Sequence, residues 1–350
     1  MKLSNKLWQF LIVGSVVIMA LNFYKIKEKK PFLFDRIFNS NLVIKSDGKD
    51  VSKIGNRHIV NATNNIVVED SSSRATDSDT VKSHRLYYHN IFDSNYQFKE
   101  QILLPVSSSI EFCTEKRMLI INKLNMLIFN IKSKIYKPIA IAGFKVIKVF
   151  GLDDSLSNII CLGELKKEND YITGFFVLNS DSNKIGAQSK ILEINKRSKA
   201  IENILIYDGN FSTNDKEIIS YYCNKYSKLY FFDYSGTLSN EITTKDNTPL
   251  PSLVQNELGY YYKRGNTFST NNGVIIRDNK VLVFSSRTEN GKEIMIDVYS
   301  LKTKAYLYSK EISYKNKNCA EINFIRCYGN KAYIKFSDNE SYNFTFSLNE

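Results

Sequence analysis

Apolar and polar positions alternate over short runs through most of this chain, with turn-forming residues between the runs. The clearest figure is Val274-Ile275-Ile276-Arg277-Asp278-Asn279-Lys280-Val281-Leu282-Val283-Phe284. Two aliphatic runs flank Asp-Asn, a pair that tolerates the left-handed backbone of a tight hairpin. The figure returns at Phe324 to Ile334, at Ile110 to Ile120 and at His58 to Glu69. Less regular versions, with longer turns at Asp153-Asp154-Ser155 and at Asp208 to Asp215, start near Val146 and Ile204.

A second figure follows each hairpin: an apolar pair, then Asn or Asp, then small polar residues. It reads Ile91-Phe92-Asp93, Ile128-Phe129-Asn130, Val177-Leu178-Asn179 and Phe231-Phe232-Asp233, with a looser version at Asp297-Val298-Tyr299-Ser300. Another short strand comes after it, at Phe98 to Leu104, Tyr136 to Ile141, Ile185 to Ile194 and Tyr306 to Ile312. Four short antiparallel strands per unit, repeated six times, predict an all-β six-bladed β-propeller. The last unit stops after Ser341 to Leu348 and holds only three strands. Phe34 to Lys45 is available to complete it, an N-terminal strand closure that removes an exposed edge. Glu69 to Ser83 lacks an apolar period and reads as a polar surface loop. A pair of β-sandwiches is the competing fold; it accounts less well for regular four-strand units with a missing last strand.

The pattern over residues 33–348 resembles the six-bladed propeller superfamily of the TolB-like and NHL-like kind, by repeat architecture. Trp is absent after Trp8, so the Trp-Asp, YWTD and Trp-docked blade signatures are missing, as are the Gly-Gly pairs of kelch repeats.

Ahead of the repeats, Leu7 to Tyr24 is uncharged and ends in rings at Trp8 and Tyr24. A helix rising about 1.5 Å per residue over that stretch just crosses a hydrocarbon core of roughly 30 Å. We read residues 1–31 as an uncleaved membrane anchor with basic flanks and 32–350 as the propeller domain. The rival is a signal peptide, for which Ala20-Leu21-Asn22 is a poor cleavage site. Lys25, Lys27, Lys29 and Lys30 outnumber Lys2 and Lys6, which taken alone leaves the domain on the cytoplasmic face. A short basic tail before an apolar stretch is also an export layout, and we expect an extracytoplasmic propeller on that ground, periplasmic or at the cell surface. A cytoplasmic or secreted domain remains the alternative.

Charge narrows the partners. The chain has 350 residues and a formal charge of +12, of which residues 1–36 supply a net +5. The remaining lysines are dispersed, without the clustered footprint that nucleic acid requires, so nucleic acid is not expected as a partner. Abundant Lys, Asn, Ile, Tyr and Phe match an AT-rich coding sequence, which further weakens a functional reading of the lysines.

Candidate chemistry is sparse. Cys113, Cys161, Cys223, Cys319 and Cys327 are odd in number and widely spaced, and read as buried free thiols. His58, His84 and His89 fall in one unit, whereas a channel site draws on several. Asp77-Ser78-Asp79 and Asp153-Asp154 lack the spaced ligand series of a calcium loop and suit solvated turns. No P-loop, HExxH, GxSxG or GxGxxG occurs. No catalytic residue, metal site or cofactor is therefore expected. The unusual segment is the Thr244 to Asn272 insertion, whose centre reads Tyr260-Tyr261-Tyr262-Lys263-Arg264. Tyr and Arg are enriched at interface hot spots, which makes these five residues the candidate partner-binding site. The competing reading is an outer strand that buries one ring and exposes the next. The expected function is a membrane-tethered binding or scaffold module for a protein or peptide partner at the propeller face. The alternative is a propeller hydrolase or lyase with a metal in its central channel.

Overall fold

The computed structural model describes residues 34–39, 42–46, 65–76, 85–93, 98–105, 108–122, 125–168, 170–192, 205–213, 217–257, 259–263, 265–286, 294–312, 322–328, 331–336 and 341–348. Apart from one short helical turn at 205–206, the regular structure among them is antiparallel β, as the alternation predicts. The strand β1 (Leu42–Ser46) comes first and joins the last sheet. A three-stranded sheet follows, made of β2 (Asn65–Thr76), β3 (Arg85–Asp93) and β4 (Phe98–Pro105). Four-stranded sheets then succeed one another. The second sheet holds β5 (Ser108–Cys113), β6 (Arg117–Asn122), β7 (Asn125–Asn130) and β8 (Tyr136–Ile139). The third holds β9 (Phe144–Gly151), β10 (Asn158–Lys167), β11 (Asp170–Asn179) and β12 (Lys184–Ile191). The fourth holds β13 (Gly209–Thr213), β14 (Ile219–Cys223), β15 (Lys228–Phe232) and β16 (Leu238–Thr243).

A separate hairpin, β17 (Leu253–Asn256) and β18 (Gly259–Tyr262), precedes the fifth sheet. That sheet holds β19 (Asn271–Arg277), β20 (Lys280–Ser285), β21 (Ile294–Ser300) and β22 (Tyr306–Ile312). The sixth combines β23 (Ile322–Tyr328), β24 (Lys331–Phe336) and β25 (Ser341–Leu348) with β1, which pairs antiparallel to β25 from Leu42↔Leu348 to Ser46↔Phe344. The last sheet is thus completed from the other end of the chain.

Period-two alternation sends successive residues to different cores. In β6, Met118 and Ile120 pack with Ile102 and Leu104 of the first sheet, whereas Leu119 and Ile121 join the core shared with the third. In β14, Tyr221 faces the third sheet and Tyr222 the fifth. In β20, Val281 and Val283 face the fourth sheet, Leu282 and Phe284 the sixth. Sheets two to five therefore each lie between their chain neighbours. Double-sided burial explains why β14 and β20 read as nearly unbroken apolar runs. The fourth strands β8 and β12 are mostly exposed and lysine-bearing, which suits unpaired edges.

The turn chemistry follows the residues. Asp278 and Asn279 have φ of 47° and 60°, the left-handed pair of a two-residue hairpin closed by Arg277↔Lys280. The apolar-pair figure marks the turn after the third strand. Asn130 Oδ1 accepts from Ser133 N at 2.9 Å, Asn179 Oδ1 from Ser182 N at 2.9 Å, and Ser300 Oγ from Thr303 N at 3.1 Å. Four residues past each cap, Lys134, Asn183 and Lys304 take φ of 58°, 52° and 63°. One loop geometry is used in three sheets, set by a side chain that caps its own backbone.

Two expectations need correction. Residues through Thr76 extend β2, with Arg74 to Thr76 paired to β3 after a bulge, so the polar stretch from Glu69 is strand at its start and not all loop. Of the His58 to Glu69 figure, Asn65 to Glu69 pair with β3, and 58–64 lie outside the described residues. The apolar run after Ile204 is a helical turn at 205–206, and the fourth sheet opens with the polar Gly209–Thr213. Small residues are required there: a Cβ at Gly209 would lie 2.1 Å from the Tyr222 carbonyl oxygen. Buried Ser212 Oγ lies 2.9 Å from both the Val274 and Cys327 carbonyl oxygens, joining the first strands of three sheets. The Phe34 to Lys45 segment supplies two pieces: Phe38 bridges Ser309 in parallel on the edge of β22, and the end from Leu42 belongs to β1, the expected closing strand. The span Leu7 to Tyr24 lies outside the described residues; among those described, no helix is long and apolar enough to cross a membrane.

Two outcomes are expected. Deleting residues 42–46 leaves β25 as an unpaired edge, so the protein should aggregate or lose its cooperative melt; an unchanged melt would show that β1 is dispensable. Gly209→Ala should cost about 1–3 kcal/mol in denaturant unfolding, as overpacking against backbone does.

Candidate functional site

Between β16 and β19 the chain leaves the sheets and returns, and one carboxylate holds both ends of the excursion. Asp246 is buried at 5% exposure. It accepts from the Thr270 hydroxyl at 2.5 Å, the Thr248 amide at 2.9 Å and the Thr244 hydroxyl at 3.3 Å, and from the Ser227 hydroxyl. Ser227 N donates to Thr248 O at 3.0 Å and Thr270 N to Asn224 O at 2.8 Å, so the β14–β15 turn is tied to both ends of the insertion. Asn271 Nδ2 adds bonds to the Cys223 and Tyr226 carbonyls at 2.9 and 3.1 Å. A buried carboxylate is tolerated because hydroxyls and an amide replace its water.

From this clamp, β17 and β18 project as a two-stranded sheet with register Leu253↔Tyr262 to Asn256↔Gly259. Among the described residues these strands pair only with each other. Tyr260, Tyr261 and Tyr262 are all half-buried, so the three rings do not alternate between buried and exposed. A hairpin outside the stacked sheets has no second core to receive every other ring. Tyr262 is the anchor: its hydroxyl donates to Leu205 O at 3.0 Å and Lys225 Nζ lies 4.8 Å from its ring centre. Burial, and then the charge of Asp208, push its phenol pKa well up. Tyr261 Oη is buried without a hydrogen-bond partner among the described residues. Lys263 is exposed and its amide donates to Ser252 O at 2.8 Å. Val254, opposite Tyr261, is 43% exposed. Arg264, the fifth expected contact residue, lies outside the described residues. The structure thus brings Tyr260 to Lys263 together on one clamped hairpin that can add a strand or offer rings to a partner.

The other candidates resolve into structure. Asp153 spends its oxygens inside its turn: Ser155 Oγ at 2.5 Å, Asn158 N at 2.9 Å and Ser157 N at 3.0 Å. Burial alone would raise its carboxyl, but these donors outweigh it and hold the pKa below the ordinary range. Cys113, Cys161, Cys223 and Cys327 are buried free thiols, and burial pushes Cys161 and Cys223 far up. His89 sits on β3, whereas His58, His84, Cys319 and Asp77 to Asp79 lie outside the described residues. Among the described residues no three histidine, cysteine, aspartate or glutamate side chains gather as a metal set.

Sequence reasoning missed a second feature. Arg36 Nε and Nη2 meet the two oxygens of Asp297 at 2.8 and 3.1 Å, with side chains 8% and 3% exposed. Arg36 also reaches Ser285 Oγ at 3.2 Å, and its guanidinium lies 4.6 Å from the Phe34 ring centre. Ser309 Oγ donates to Asp297 at 2.5 Å and is bonded in turn to Tyr306 Oη at 2.7 Å. The available signal was Asp297 itself, one carboxylate in the apolar strand Ile294–Ser300, which must find a cationic or hydroxyl partner.

No protein-family profile and no curated protein matches the chain. Solved structures are similar in overall course only. BamB from Moraxella catarrhalis is 10% identical over 87% of this chain and 100% of its own, with a TM-score of 0.43. A luciferin-regenerating enzyme is 12% identical over 87% and 95%, with a TM-score of 0.42. The acylaminoacyl peptidase of Pyrococcus horikoshii is 10% identical over 81% of this chain and 49% of its own, with a TM-score of 0.39. Similarities at this level assign no family or activity to the chain.

Asp246→Ala strands several buried donors and should destabilise by about 3 kcal/mol or more, because each orphaned group costs roughly 1–3 kcal/mol. Tyr260→Ala, at a half-buried site, should cost clearly less in the same urea titration. Arg36→Ala leaves Asp297 charged, buried and unpaired, and a loss of about 3–5 kcal/mol is expected.

Proposed function

We propose that this chain is a six-bladed β-propeller, tethered to a membrane by its N-terminal segment, that binds a protein or peptide partner as a scaffold. Six sheets follow one another in chain order, and cores shared between chain neighbours support a ring of blades. Completion of the sixth sheet by β1 supports closure of that ring. Contacts of β9 with β5 and β13, and of β19 with β13 and β23, suit first strands lined up about one axis.

The observation that carries the binding role is the clamped hairpin. It holds Tyr260 to Lys263 on a two-stranded sheet whose strands, among the described residues, pair with each other alone, which suits contact with a partner through the rings or by an added strand. Arg264 follows directly and would extend the cationic end of the contact. Only the hairpin's ring-bearing surface is assigned to the partner; Tyr262 serves to hold it.

Three measurements test this reading. The full chain should stay in the membrane fraction after carbonate washing; release into the wash, or a mature N-terminus between Ala20 and Lys30, would remove the tether. A photo-reactive residue at position 260 in native membranes should give one discrete adduct with a single protein, while one at exposed Ile135 should not. The pair Tyr260→Ala and Lys263→Ala should abolish that adduct's partner in affinity capture, with Tm within about 2–4 °C of the parent as for a change of about 1 kcal/mol or less. Loss of the fold in that variant would make the tyrosines core residues and end the contact-site reading.

A further inference from the structure

The segment 34–39 crosses the outer edge of the fifth sheet before the chain reaches β1. Ser309 N donates to Ile37 O at 2.7 Å and Asn39 N to Ser309 O at 3.2 Å, so the segment adds to β22 as a short parallel strap. The two-pronged contact of Arg36 with Asp297 pins it from within, and Ile37 N donates to Tyr306 Oη at 3.1 Å. Yet the strap's next two side chains face outward: Ile37 is 60% and Phe38 63% exposed, and Leu307 on β22 is 36% exposed. Lys302 and Lys304, in the turn leading into β22, are exposed, as is Lys245, whose Nζ lies 4.8 Å from the Tyr306 ring centre. Asp35 and Glu311 are the exposed acids on the same elements.

Tether length adds a constraint. Residues 25–33 separate the apolar stretch ending at Tyr24 from Phe34, and nine residues span at most about 30 Å. A compact domain of some 300 residues has a radius of gyration near 20 Å, and so a breadth of about 50 Å. A chain held so closely at the strap cannot present its far side to the bilayer. We infer that the strap and the edge of β22 form a lipid-docking face, with Ile37 and Phe38 in the headgroup layer and the flanking lysines at the phosphates. This rests on the membrane-tethered reading above. It goes beyond it in fixing which side of the domain lies on the membrane.

The single tryptophan makes the test separable. Full-length parent protein, reconstituted in phosphatidylcholine–phosphatidylglycerol vesicles with brominated acyl chains, reports the anchor through Trp8. The variants Trp8→Phe with Phe38→Trp, and Trp8→Phe with Ile37→Trp, report the face. Roughly twofold quenching at 37 or 38 is expected for a ring about 5–10 Å into the headgroup boundary. Trp8→Phe with Ile135→Trp, on the second sheet, should stay bright. Quenched Trp8 with bright positions 37 and 38 overturns the docking face and leaves the tether standing. Bright Trp8 removes the tether and the face together. Equal quenching at 135 overturns the face as unspecific lipid contact. A lipid-free blue shift at position 38 that grows with protein concentration overturns it in favour of a second copy of this chain.

Discussion

Tyr221 and Tyr222 are neighbours in the chain but serve two different cores, one shared with the third sheet and one with the fifth. The same division recurs in β6 and β20, and the arrangement of sheets depends on it. A sheet buried on both faces needs apolar residues at nearly every position of its middle strands, and each face must match a different neighbour. Phe175 shows how closely one face is filled: its ring centre lies 4.8–5.1 Å from those of Phe232, Tyr221 and Tyr230 across the third and fourth sheets. Rings packed in this way, edge-on with Tyr221 and tilted with Tyr230 and Phe232, contribute beyond the area they bury. The first strands face the opposite demand. Where they approach one another, bulk is excluded, and Gly209, Ser212 and Gly273 fill places where carbonyls or the Cys327 sulfur come close.

Serial stacking leaves edges, and the N-terminal segment covers two of them. Its strap lies along β22, and β1 completes the sheet of β25. The Arg36–Asp297 pair that fixes the strap is buried, and ion pairs in such places return little net stability over an apolar replacement. Their value lies in geometry: a guanidinium with two bonds to one carboxylate has one acceptable seat, so the strap meets β22 in one register. Hydroxyls from Ser285 and Ser309 satisfy what the carboxylate and guanidinium leave over.

Asp246 plays a comparable part in the insertion. It replaces strand pairing with a knot of hydroxyl and amide donors, so a segment outside the sheets still starts and ends at defined points. The hairpin beyond it can therefore carry half-buried tyrosines without a core of its own. Rigid rings on a fixed base lose little conformational entropy on contact, which is why Tyr suits such surfaces.

Periodicity along the chain was enough for the all-β class, for the hairpins at Val274 to Phe284 and Ile110 to Ile120, and for the turns capped by Asn130, Asn179 and Ser300. Each is a local matter of side-chain period or of a side chain bonding its own backbone. It was also enough to show a final unit lacking a strand and an N-terminal segment able to supply it. Position along the chain does not reveal distance in space, and the misses follow from that. Gly209–Thr213 looks like a loop in one dimension and is the first strand of the fourth sheet, because its constraint is close approach of backbones from three sheets. Arg36 and Asp297 lie 261 residues apart, and Asp246 gathers donors from three segments, around Ser227, Thr244 to Thr248 and Thr270. Only the tertiary structure decided which polar residues are buried, since their partners are brought together by the stacking of sheets and by nothing local.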